Sequence, residues 1–241
     1  MYHIQSLSEN DLHHYATFLR DIQTHHWSLS SNAFQRQPNS ECLPTCEEII
    51  EDLSSLEHSV IYLLKRNHRI ISSMKITQKK SEPDVLIFSH VETHPDFQRR
   101  GTFGLALGDA CLRTACGSDC KRIEITTWSF NRKGIPLYKR YGFRAIPGTN
   151  LLMENYLPAI VKHVDAQPYF ARHDYIRTLY NKRSYGYDAV KMNGISVFEY
   201  RWKPRKSDDT LRVLVDWKKK EIIDVECKIM DLSSLIRECH A

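Results

Sequence analysis

The sequence predicts an α+β protein in two parts, and three observations carry that prediction. Ser59–Lys65, Ile70–Ile76 and Val85–Thr93 are β-rich runs separated by turn residues. Thr102–Ala115 is helical in its apolar spacing and directly follows a turn containing Pro95, Arg99, Arg100 and Gly101. Beyond residue 195, three further β-rich runs joined by short polar stretches read as an antiparallel meander.

The elements follow in order. Tyr2–Leu7 predicts a short strand. Ser8-Glu9-Asn10-Asp11 supplies capping chemistry, and nothing more, for a helix with Leu12, Tyr15, Phe18, Leu19 and Ile22 on one face. After a polar, Pro-containing stretch, Thr45-x-x-Glu48 predicts a capped short helix through Leu53. Arg66-Asn67-His68-Arg69 is a hairpin-like turn between the first two β-rich runs. Arg122–Trp128 predicts a strand, Asn131–Tyr141 a short helix despite Gly134 and Pro136, and Arg144–Met153 two strands around Pro147-Gly148. Helical patterns at 157–164 and 168–181 precede the strands Ile195–Trp202, Thr210–Trp217 and Glu221–Lys228. In Ile195–Trp202, the alternation of Phe198, Tyr200 and Trp202 against Val197, Glu199 and Arg201 predicts one aromatic, buried sheet face. The change of character after Tyr156 divides the chain into residues 1–156 and a small α/β appendage of residues 157–241.

Composition bounds the function. With 241 residues, 41% hydrophobic and 26% charged, the chain buries one good core, or one and a small second. The longest apolar stretches, such as Val60–Leu64, are too short for a bilayer, and Met1-Tyr2-His3-Ile4 lacks the pattern of a secretory signal. The expectation is a cytoplasmic protein without a membrane partner. Seven cysteines occur without a C-x-x-C pair, and free thiols with no metal are expected. A net charge of +5 permits an anionic cofactor without naming one, and no aromatic-interleaved motif points to nucleic acid.

The chemistry concentrates between Val85 and Ala115. A helix N-terminus offers unpaired N–H groups and a partial positive charge; Gln98-Arg99-Arg100-Gly101 before it adds two cations and a residue without a Cβ. That combination suits a pyrophosphate.

The run Val91-Glu92-Thr93-His94-Pro95-Asp96-Phe97-Gln98-Arg99-Arg100-Gly101-Thr102-Phe103-Gly104 resembles the cofactor signature of the GNAT superfamily of N-acetyltransferases. Asn131-Arg132-Lys133-Gly134-Ile135-Pro136-Leu137-Tyr138-Lys139-Arg140-Tyr141-Gly142-Phe143 resembles that family's second element. Phe103, Gly134 and Pro136 depart from the usual residues. The resemblance covers the first two-thirds of the chain. It implies a central, mixed but mostly antiparallel sheet flanked by helices, acetyl-CoA as acyl donor, and a small-molecule or peptide amine as acceptor. It also implies that Val91, Glu92 and Thr93 border the pantetheine arm, that Gln98 and Arg99–Gly104 (with Arg100, Gly101, Thr102 and Phe103) hold the pyrophosphate, that Asn131 touches the cofactor, and that Tyr138 protonates the leaving thiolate.

The general base is open. Family members often carry Glu or His where Ile87 and Ser89 stand, and strict alternation turns His90 and Glu92 to the opposite face. A bulge would re-aim Glu92. A water relay, or an amine arriving neutral, serves equally. His94 is expected as a cap or surface residue, His173-Asp174 as a solvated helix face, and the histidines of the first helix as a possible border of the acceptor pocket. The rival readings are a catalytically silent acyl-CoA sensor and an acetyltransferase acting on RNA-borne amines. The aromatic-rich C-terminal segment builds a small core and offers a possible homodimer interface.

Overall fold

The computed structural model describes residues 2–29, 47–48, 58–98, 106–127, 131–180, 189–192 and 194–230. The expected short helix between Thr45 and Leu53 lies, except for residues 47–48, outside them. The chain divides into two compact units, Met1–Thr114 and Ala115–Ala241.

In the first unit, β1 (Tyr2–Ser6), β2 (Ser59–Arg66), β3 (Arg69–Gln78) and β4 (Val85–Thr93) pair antiparallel, each with the next. Asn67 and His68 make the β2–β3 turn, both with positive φ (+48° and +66°), as a two-residue hairpin between right-twisted strands requires. Helix α1 (Leu12–Leu29) buries Tyr15, Phe18 and Ile22 against Ile61, Leu63 and Ile70. The spacing of three and four residues puts these side chains on one helical face.

Asp11 does more than the capping expected of it. It is buried, pairs with Lys65, and accepts from Gln5 Nε2 and Ser8 Oγ, both at 2.7 Å. Burial pushes its carboxyl up, but Lys65 and Ser8 outweigh that and hold it below the usual range.

Helix α2 (Gly108–Gly117) leads into the second unit, where β5 (Arg122–Thr126), α3 (Gly134–Arg140), β6 (Arg144–Ala145) and β7 (Leu152–Asn155) follow. Strand β7 pairs antiparallel with both β5 and β6. Helices α4 (Leu157–Lys162) and α5 (Gln167–Phe170) precede a second sheet. Its strands are β8 (Leu179–Tyr180), β9 (Ala189–Met192), β10 (Ile195–Trp202), β11 (Thr210–Asp216) and β12 (Glu221–Lys228), in the order β12-β11-β10-β8 with β9 also on β10. The meander is as expected; the helix expected over 168–181 is not. It stops at Phe170, because Asp174 Oδ1 takes the N–H groups of Ile176 (3.0 Å) and Arg177 (2.9 Å) into a side-chain-closed turn. Phe170 then packs its ring on Trp202 at 5.5 Å.

Phe198, Tyr200 and Trp202 are fully buried, in one apolar cluster with Cys116, Ile146, Tyr156, Leu157 and Ile160. Beside it runs a buried charged layer. Glu124 and Glu154 face each other across β5 and β7, with Arg122 2.7 Å from Glu124 and 3.3 Å from Glu154. Tyr156 Oη donates to Glu154 at 2.6 Å, and Tyr156 N–H donates to Tyr200 Oη at 3.1 Å.

Candidate active site

The end of β4 carries a bulge. Ser73 pairs with Glu92 and Lys75 with Ser89, so a step of two residues on β3 (75 − 73) faces a step of three on β4 (92 − 89). His90 takes up the extra residue with φ of +47°, rare for a residue with a Cβ. The bulge reverses the side-chain parity beyond it. Glu92 therefore lies on the face of Ile87 and Ser89, opposite to the face strict alternation gives it.

Glu92 is partly buried, and burial pushes its carboxyl up to about 7. On the same face, Tyr15 Oη lies 3.5 Å from Ser73 Oγ. Burial, opposed by the Ser73 contact and reinforced by the Glu92 charge, raises the Tyr15 phenol to about 12. The sequence places Tyr15 only on the apolar face of the first helix and does not single out Ser73 or Lys75. The strand register places Ser73 and Lys75 on the face of Glu92, the packing of α1 on Ile61 and Leu63 brings Tyr15 there, and neither is visible in one strand alone.

At the end of β4, Ser72 Oγ donates to the Glu92 carbonyl at 2.6 Å and lies 3.1 Å from Thr93 Oγ1. Gln98 Nε2 donates to the Thr93 carbonyl at 3.2 Å, fastening the turn to the strand it leaves. His94 caps Pro95–Phe97, its Nδ1 accepting from Asp96 N–H at 3.2 Å, but it is buried rather than at the surface. Its Nε2 lies 2.8 Å from Arg69, which also pairs with Asp96 at 3.0 Å. Burial, then the Arg69 charge, holds the imidazole below its usual range. The pyrophosphate candidates Arg99, Arg100, Gly101, Thr102, Phe103 and Gly104 lie outside the described residues.

In the second unit, Asn131 organises the start of α3. Its Oδ1 accepts from Gly134 N–H at 2.7 Å and its Nδ2 donates to Thr127 Oγ1 at 2.8 Å. A Cβ on residue 134 would stand 2.5 Å from that Nδ2, which is the local reason for glycine there. The helix closes with a Schellman cap: Phe143 N–H reaches the Tyr138 carbonyl (3.1 Å) and Gly142 N–H the Lys139 carbonyl (3.1 Å), with Gly142 at φ of +95°. Tyr138 is buried.

His173 is not on a solvated helix face. Its Nε2 lies 2.7 Å from Asp209, which also accepts Met230 N–H at 2.7 Å, so the pair ties the turn after α5 to the residue before β11 and the segment after β12. Among the described residues no group of three or more His, Cys, Asp or Glu side chains forms a metal cluster, and no helix is long and apolar enough to cross a membrane.

The chain resembles two solved N-acetyltransferases with coenzyme A bound. RimL, the ribosomal L7/L12 alpha-N-protein acetyltransferase, aligns at 11% identity and a TM-score of 0.52, over 66% of this chain and 95% of that one. The aminoglycoside acetyltransferase AAC(6')-Ib aligns at 15% identity and a TM-score of 0.51, over 66% and 97%. At such identity the likeness establishes the fold. No curated protein sequence matches the chain. Residues 19–143, more than half of the sequence, match the acetyltransferase (GNAT) family, and the chain belongs to that family of acyltransferases.

Proposed function

We propose that the protein transfers an acetyl group from acetyl-CoA to a primary amine by direct attack, with Glu92 as general base and Tyr138 as general acid. The observation that carries this reading is the bulge at His90, which turns Glu92 onto the face of Ile87 and Ser89. A carboxyl that titrates at about 7 is ionised in part near neutral pH and is matched to accepting the proton that the nitrogen gives up after attack.

The neutral amine attacks the thioester carbonyl and forms a C–N bond. Glu92 accepts the proton that nitrogen gives up, and the N–H of Val91 donates to the oxygen that becomes negative. Collapse breaks the C–S bond, and Tyr138 supplies the proton for the departing thiolate, leaving an acetamide and CoA. In this reading Arg99–Gly104, with Gln98 and Thr93 bracing the turn, hold the pyrophosphate, and Asn131 contacts the cofactor arm. Residues 1–156 carry the chemistry and 157–241 form an appended domain.

The first test is the melting temperature as acetyl-CoA is added, in the wild type and in the Arg100→Glu/Gly101→Asp double variant. Ligand at a hundred times its dissociation constant stabilises by about 2.7 kcal/mol. The shift is expected in the wild type only, followed by turnover of at least one primary amine. No shift with acetyl-CoA, CoA or longer acyl-CoAs would remove the reading.

A further inference from the structure

Lys75 occupies the middle of β3, paired with Ile61 on β2 and Ser89 on β4. The register puts it on the sheet face that carries Ser73, Ser89 and, through the bulge, Glu92. It is only partly exposed, and among the described residues no carboxylate or other acceptor pairs with it. Burial alone pushes its ammonium below the usual lysine range. Burial first, and then the Lys75 charge, hold the imidazole of His90 below its usual range, and its Nδ1 lies 3.3 Å from Ser89 Oγ. A partly buried cation without a counter-ion loses part of its hydration, and a ligand that brings a negative charge offsets that loss.

We propose that Lys75, with His90 beside it, is a subsite for a carboxylate on the acceptor, so that the acceptor is a carboxylate-bearing amine of the amino-acid class rather than a neutral amine. This rests on the acetyltransferase reading above. Lys75 and the Ser73 position opposite Glu92 are two residues apart on one strand face, about 6–7 Å. That separation suits an amine several bonds from its carboxylate, such as the side-chain amine of free lysine, better than an α-amine adjacent to one.

The experiment compares matched acceptors differing only in the carboxylate: L-lysine with cadaverine, and 5-aminopentanoate with pentylamine. Initial rates of acetyl transfer are measured with the full chain and with Lys75→Met, Lys75→Arg and Lys75→Glu. The wild type is expected to favour the carboxylated member by ten-fold or more in kcat/KM. Lys75→Met collapses that ratio, mainly through KM; Lys75→Arg restores it, and Lys75→Glu inverts it. Equal or better use of the neutral amines, or a preference that survives in Lys75→Met, would overturn the subsite. So would stabilisation by acetyl-CoA without turnover of any carboxylated amine. If acetyl-CoA neither stabilises the protein nor is consumed, the acetyltransferase reading itself falls and takes the subsite with it.

Discussion

Tyr138 and Phe143 meet edge to face, with ring centroids 6.2 Å apart and planes inclined at 63°. They are the third-from-last helical residue and the second residue past the cap of α3, the pair that a Schellman motif brings into apolar contact. The hydrogen bond from Phe143 N–H to the Tyr138 carbonyl closes the same loop. Local backbone geometry thus fixes the ring proposed as proton donor.

Gly142 makes that closure possible. Gly142→Ala puts a side chain at φ of +95° and 3.0 Å from Leu179 Cδ2. The expected cost is about 1–2 kcal/mol from the backbone conformation. Thermal unfolding should show the loss, and acetyl transfer should fall with it because Tyr138 moves. An unchanged melting temperature would mean that the cap does not hold the helix end.

Tyr138→Phe keeps the ring and removes the proton. Turnover is expected to fall by about 100-fold, the lower end of what general acid catalysis contributes. KM for acetyl-CoA should stay put, and the defect should shrink with an acetyl thioester of a more acidic thiol. Wild-type turnover in this variant would assign the hydroxyl no part in the reaction.

Glu92→Gln tests the base through pH. In the wild type, kcat/KM is expected to rise with pH through an apparent pKa of about 7. The variant should lose that limb and about 100-fold in rate at pH 8. Stability gives a second readout. An unfolded glutamate ionises near 4.3, so between about 4.3 and 7 the unfolded state has already lost a proton that the folded state keeps. The wild type therefore loses stability relative to Glu92→Gln as pH rises through that window, and the difference levels off above it. A pH-independent difference in melting temperature would contradict the raised carboxyl.

Tyr200→Phe leaves the buried N–H of Tyr156 without its 3.1 Å acceptor. An unsatisfied buried donor costs about 1–3 kcal/mol. Urea unfolding should show a lower midpoint with unchanged slope. No change would indicate that another acceptor reaches that N–H.

The strands from Tyr2 to Thr93, the turn at Asn67-His68 and the meander after residue 195 were legible because each rests on local features: β-rich runs, turn residues and short polar joints. The aromatic face of β10 was legible for the same reason, since alternation over Phe198, Tyr200 and Trp202 has no polar alternative. The helix beyond Phe170 was misread because the pattern does not reveal that Asp174 closes a turn and Trp202 receives the Phe170 ring.

The sequence by itself determined the class of fold, the family through its two motifs, and the candidates Glu92, Asn131 and Tyr138. Only the tertiary structure decided which way Glu92 faces, and that Ser73, Tyr15 and Lys75 share its surroundings. Side-chain parity along a strand is a local rule with period two, but a one-residue bulge reverses it, and the bulge at His90 is visible only in the register of β4 against β3.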